Sequence, residues 1–139
     1  ITEGAERFGS QCIVLSIDVK EENNKYFVYI NGGRKNTGLD AIEWAIKGVE
    51  LGAGELVINS MNMDGVKKGF DIKLLQKLEQ VVNVPIIASG GAGSVDHFVE
   101  LATSTSVDGY LAASVFHYDE ININDLKKEL NKHNIPVRL

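Results

Sequence analysis

The side chains best suited to chemistry stand directly behind short apolar runs. Asp18 follows Cys12-Ile-Val-Leu-Ser-Ile17, and Asn59, Ser60, Asn62, Asp64 and Gly65 follow Glu55-Leu-Val-Ile58. Ser89-Gly-Gly-Ala-Gly93 closes Val84-Pro-Ile-Ile-Ala88, and Ala113-Ser114 closes the run from Val107 to Ala112. A carboxylate at the end of a buried strand sits where partial desolvation and access to a ligand coincide, which suits general acid–base work. Asp18 is thus the first candidate for a catalytic residue. The competing reading is an ordinary loop aspartate that caps the next segment or pairs with Lys20.

Ser89-Gly90-Gly91-Ala92-Gly93 has the make-up of an anion cradle. Glycines let backbone N–H groups approach phosphate oxygens, and a following helix adds the positive end of its dipole. Ala113-Ser114, ahead of Val115-Phe116-His117, would supply the second half of such a site. Gly-rich turns are common, so the order strand, glycines, helix carries the phosphate reading. His97, His117 and His133 are dispersed without metal-ligand spacing, which favours packing or surface roles and no metal. Cys12 reads as a small hydrophobe opening a buried strand, and Trp44 as packing. Arg34-Lys35 would either steer an anionic ligand or be solvated turn charges. No order of Ser, His and Asp suggests a hydrolase.

The elements that must position these residues alternate along the chain. Asp40 to Leu51 carries Ile42, Ala45, Ile46 and Val49 at helical spacing, with Asp40 as N-cap and Gly52-Ala53-Gly54 as the stop. Further helices are expected over about 72–81, 95–102 and 124–133, while Tyr26-Phe-Val-Tyr-Ile30 reads as a hairpin-like excursion. Four strands, each followed by a loop and a helix, imply parallel pairing, and continuous apolar runs imply strands covered on both faces. In such folds ligands bind beyond the carboxyl ends of the strands, where every candidate above falls.

Size and charge narrow the class. The chain has 139 residues, 44% hydrophobic and 24% charged, with net charge −5. A complete (β/α)8 barrel takes roughly 250 residues, so four βα units amount to half of one. The acidic balance without a Lys/Arg block argues against nucleic acid, and no apolar run approaches the ~20 residues of a membrane span. A single cysteine excludes a disulfide framework and points to a reducing cytoplasm. Ile1 to Gly9 reads as the tail of a helix and a turn, without an initiating Met, as expected of a piece of something longer.

Eight segments in order resemble one family, the cyclase subunit of imidazole glycerol phosphate synthase. They are Arg7-Phe-Gly-Ser-Gln11, Ser16-Ile-Asp-Val-Lys20, Gly32-Gly-Arg-Lys-Asn-Thr-Gly38, Gly52-Ala-Gly-Glu55, Asp64-Gly65, Ile87-Ala-Ser-Gly-Gly-Ala-Gly93, Leu111-Ala-Ala-Ser-Val-Phe-His117 and Pro136-Val-Arg-Leu139. The resemblance implies the C-terminal half of a TIM barrel: the end of helix four, then strands five to eight, as one unit over 1–139. It also implies a lyase of histidine biosynthesis. Such an enzyme converts a ribulosyl-formimino-aminoimidazole carboxamide ribotide and ammonia into imidazole glycerol phosphate and aminoimidazole carboxamide ribotide. Ammonia would come from a glutaminase subunit at the opposite face, and no cofactor is implied.

By the same resemblance Asp18 matches one of two catalytic aspartates, the other belonging to a first strand outside this chain. Asp64, Gly65, Gly90, Gly91, Ala113 and Ser114 match a phosphate site, Gln11 and Ser89 match residues of the interior or mouth, and Arg138 matches an arginine near the glutaminase-facing entrance. The loop after the second strand departs from the family's Thr-Ser and Asp-x-Asp-Gly-Thr, reading Asn59-Ser60 and Asn62-Met63-Asp64-Gly65-Val66. That departure keeps alternatives open: a paralogue in ammonia-dependent polysaccharide amidation, the related ribotide isomerase, or a non-catalytic phosphate-binding module. An open half barrel is also expected to pair with an N-terminal half or with a second copy of itself.

Overall fold

The computed structural model describes residues 1–138. Its single sheet is built outward from strand β1 (Val14–Glu22). On one flank β1 pairs in parallel with β4 (Glu55–Ser60), β4 with β5 (Ile86–Ser89), and β5 with β6 (Gly109–Leu111). On the other flank it pairs antiparallel with β2 (Lys25–Ile30), which pairs with β3 (Lys35–Asp40). Helices α2 (Ala41–Glu50), α3 (Ile72–Glu79) and α4 (Val95–Ser104) connect the four parallel strands in succession. A short α1 (Thr2–Phe8) precedes β1, and α5 (Ser114–His117) and α6 (Ile123–Lys132) follow β6.

The connecting helices start where short polar side chains can bind their free N–H groups. Asp40 Oδ1 accepts from the amides of Ile42 and Glu43 at 2.9 and 3.0 Å, and Asp71 Oδ1 accepts from Leu74 at 3.0 Å. Asn122 does the same for α6. Helix α2 ends at Gly52, whose φ of 113° releases the chain into β4. The Gly54 amide then donates to the Ile13 carbonyl at 2.9 Å and sets the register of β4 against β1.

Burial along β4 and β5 alternates strictly, and β1 follows the same rule as far as Val19. Ile17, Val19, Leu56, Ile58, Ile86 and Ala88 join Ala45, Leu74, Leu78, Phe98 and Leu101 from the helices in one core. The opposite face carries Val14, Ser16 and Asp18 from β1, Val57 and Asn59 from β4, and Ile87 and Ser89 from β5, none of them fully buried. Coverage on both faces, expected from the apolar runs, is therefore met on the helix side only. The other face has no helical layer within the described residues.

Three further expectations are corrected. Strand β1 does not stop at Asp18 but runs to Glu22, because Lys20, Glu21 and Glu22 pair with Phe27, Tyr26 and Lys25 across a two-residue turn. Asn23 and Asn24 both take positive φ there, 51° and 62°, as the tight hairpin turn requires. Lys35, read with Arg34 as a turn charge, instead opens the edge strand β3, Lys35–Asp40. Cys12 does not open a buried strand; it lies exposed in a 3-10 turn, Ser10–Cys12, ahead of β1.

Candidate functional site

Parallel pairing aligns one row of residues across the carboxyl end of the sheet. Asp18 stands beside Asn59, Asn59 beside Ser89, and Ser89 beside Leu111. Because side chains alternate along each strand, the whole row points away from the helices, onto the open face. Asn59 Nδ2 donates to Asp18 Oδ1 at 3.1 Å, and Ser89 Oγ donates to Asn59 Oδ1 at 3.2 Å. Asp18 is half-buried and forms no ion pair with Lys20, which instead reaches Glu22 at 3.9 Å. One carboxylate oxygen is thus held by an amide, and the other has no protein partner among the described residues.

Ser89 also borders a cavity of about 150 Å³ lined by Asp64, Gly65, Gly90, Gly91, Ala92, Leu111, Ala112, Ala113 and Ser114. Its volume is below the ~300 Å³ at which pockets begin to hold whole drug-sized ligands, and it suits one small group. The amides of Gly65, Gly91 and Ser114 have no acceptor among the described residues. Gly91 has φ of 105°, and a Cβ there would overlap the Gly69 carbonyl oxygen, so only glycine fits this wall. The Asp64 amide is already committed, donating to the Ser60 carbonyl at 2.9 Å. Helix α4 begins at Val95, beyond the lining residues; the element that opens onto the cavity is the short α5, absent from the expectation.

The loop between β4 and α3 forms one side of the cavity and is fastened along its length. Ser60 Oγ donates to Asp71 Oδ2 at 3.2 Å where the loop leaves and rejoins regular structure. Gly69 donates its amide to the Gly91 carbonyl at 2.9 Å, and Lys67 Nζ lies 2.7 Å from both carboxylate oxygens of Glu120. Near Asp71 and under the Lys77 ammonium, Tyr26 is buried with no hydrogen-bond partner for its hydroxyl among the described residues. Burial, and secondarily the charge of Asp71, hold that phenol well above its ordinary range.

Seven of the residues singled out from the sequence (Asp64, Gly65, Ser89, Gly90, Gly91, Ala113 and Ser114) meet in this one cavity. Asp18 adjoins it through Asn59. Gln11 does not join them: it lies exposed in the 3-10 turn ahead of β1, at the opposite end of the strand. Arg138 lies with Asp108 and Gly109 at the entry to β6, also at the amino-terminal end of the sheet. His97 Nδ1 accepts from the Gly93 amide at 3.1 Å and steadies the glycine turn. No group of three metal-ligating side chains exists among the described residues, and no described helix is long and apolar enough to cross a membrane. The link through Asn59 was not legible beforehand, since an Asn after a strand carries no spacing signal until register is known.

The family model described as "Histidine biosynthesis protein" matches residues 1–122. Two similar relatives, each named "Imidazole glycerol phosphate synthase subunit HisF" and from two strains of Bacillus cereus, are 52% identical over 140 aligned positions. The alignment takes in 100% of this chain and 56% of each relative, so the chain spans little more than half the length of the curated relatives it matches.

Proposed function

The chain belongs to the histidine biosynthesis protein family, and from that premise we propose that it is the C-terminal half of an imidazole glycerol phosphate synthase cyclase, contributing one catalytic carboxylate and one phosphate site. The observation that carries this reading is the relay Asp18–Asn59–Ser89, which sets a carboxylate and an anion-sized cavity side by side on one rim. The substrate class is a ribotide bearing phosphates. The cavity would take one phosphate through the amides of Gly65, Gly91 and Ser114, fixing the rest of the molecule across the open face toward Asp18. There the free carboxylate oxygen is placed to accept or return a proton as ring closure and cleavage proceed. A second carboxylate, from the other half of the barrel, completes the acid–base pair. Ammonia delivered by a glutaminase would enter at the amino-terminal end of the strands, where Arg138 lies, and reach the mouth along the interior face.

The test mixes this chain with a matching N-terminal half and follows ammonia-dependent consumption of the ribulosyl intermediate. Turnover that requires both halves and is lost in Asp18→Asn supports the assignment. A second reading, a cyclase paralogue with another ammonia acceptor, draws on the neutral Asn59 beside Asp18. Absence of turnover from a folded mixture would favour it.

A further inference from the structure

Strand β4 ends at Ser60, level with Val19 and three residues before β1 ends at Glu22, and its last backbone contact is the Met61 amide on the Val19 carbonyl at 2.8 Å. Beyond that point the Glu21 N–H and C=O face the side that β4 has vacated. The side chain of Asn62 fills this position. Its Oδ1 accepts from the Glu21 amide at 2.6 Å, and its Nδ2 donates to the Glu21 carbonyl at 3.3 Å. A carboxamide presents a donor and an acceptor side by side, as a peptide group does, so it extends the ladder after the backbone has turned away. The chain then passes through Asp64 and Gly65 to the cavity wall, and Gly69 is tied to Gly91 on the far side.

We propose that Asn62 is a positioning residue for the anion cavity, holding the near limb of the 61–70 loop so that the Gly65 amide faces the bound group. The inference rests on the phosphate reading of that cavity and adds the residue that keeps it formed. Asn62 itself does not line the cavity. An aspartate in its place keeps the shape and the acceptor for the Glu21 amide and loses only the donor to its carbonyl, whereas alanine loses both.

The test compares the 139-residue chain with Asn62→Ala and Asn62→Asp by amide exchange across residues 61–70 and by titration with inorganic phosphate. Loop amides are expected to exchange at least tenfold faster in Asn62→Ala, with Asn62→Asp between it and the parent. Phosphate affinity should fall about tenfold in Asn62→Ala while the melting temperature and circular dichroism stay near those of the parent. Wild-type loop exchange and affinity in both variants would overturn the positioning role and leave the phosphate site standing. Failure of the parent itself to bind phosphate would instead overturn the phosphate reading, and the positioning role with it.

Discussion

Asn59 donates from Nδ2 to Asp18 Oδ1 and accepts at Oδ1 from Ser89 Oγ, at 3.1 and 3.2 Å. Both ends of the carboxamide are specified, so its orientation is fixed by its neighbours rather than by chance packing. Occupancy of the cavity at Ser89 and the placement of the Asp18 carboxylate are thereby joined through one side chain. Removing it by Asn59→Ala should leave the fold intact and lower turnover of the completed barrel by roughly tenfold to a hundredfold. That is the rate equivalent of a hydrogen bond to a charged group, about 1.5–3 kcal/mol. Asn59→Asp should do worse, because it sets a second carboxylate against Asp18. Steady-state rates at saturating substrate decide the matter, and parent-like rates in both variants would remove Asn59 from the mechanism.

Two cavity glycines differ in what a methyl group would meet. At Gly91, with φ of 105°, a Cβ would overlap the Gly69 carbonyl; at Gly65, with φ of 71°, nothing lies within 4 Å. Gly91→Ala must therefore displace backbone at the point where loop and glycine turn are joined. It should cost roughly 2–4 kcal/mol, whereas Gly65→Ala should cost only about 1 kcal/mol for its left-handed conformation. Denaturant unfolding of both variants measures the difference. Equal losses would mean that the wall at Gly91 yields easily.

The succession of four strands, the helix start at Asp40 and the rim carrying Asp18, Ser89 and Gly91 were legible because each depends on local chemistry. Periodicity, capping oxygens and glycine turns act within a few residues. What escaped depends on pairing at a distance. The polar end of β1 has no apolar signature, since Lys20 to Glu22 are held by a ribbon with β2 rather than by a core. The strand β3 was hidden by Gly38 and by side chains that face water. Asn59 and Asn62 stood out as polar residues behind a strand and as departures from a family pattern, without partners. Their roles follow from register, which sets Asn59 beside Asp18, and from the early end of β4, which frees Glu21 for Asn62.

Tyr26 offers a test of the packing around the start of α3. Its hydroxyl is buried without a partner among the described residues, and its pKa is raised above the ordinary phenol value of 10.0 by burial first and Asp71 second. A raised folded-state value means that the stabilising contribution is complete below the unfolded-state value. It is lost as pH rises above that value, because the unfolded chain ionises first. Stability should decline from about pH 10 upward in the parent and decline less in Tyr26→Phe. Near neutral pH the variant should be unchanged or stabilised by about 1 kcal/mol, since an unsatisfied buried hydroxyl is removed. Destabilisation at neutral pH would show that the hydroxyl does find Asp71.

The open face sets the behaviour of the chain in solution. Val14 is 50% and Leu111 45% exposed at its two borders, with Val57 and Ile87 between them. On the side of β1 away from β4, Val14 to Ile17 have no strand partner among the described residues, because β2 pairs only from Asp18 onward. The outer edge of β6 is likewise unpaired among them. Two free edges flanking a partly apolar face form a surface that another half barrel, or a second copy by two-fold symmetry, would cover. Sedimentation at tens of micromolar should give twice the chain mass, converting to a one-to-one complex when an N-terminal half is added. Val57→Lys, which sets a charge in the middle of the face without touching the helix-side core, should yield a folded monomer. A parent chain that sediments as a monomer would show that the face is stable in water as it stands.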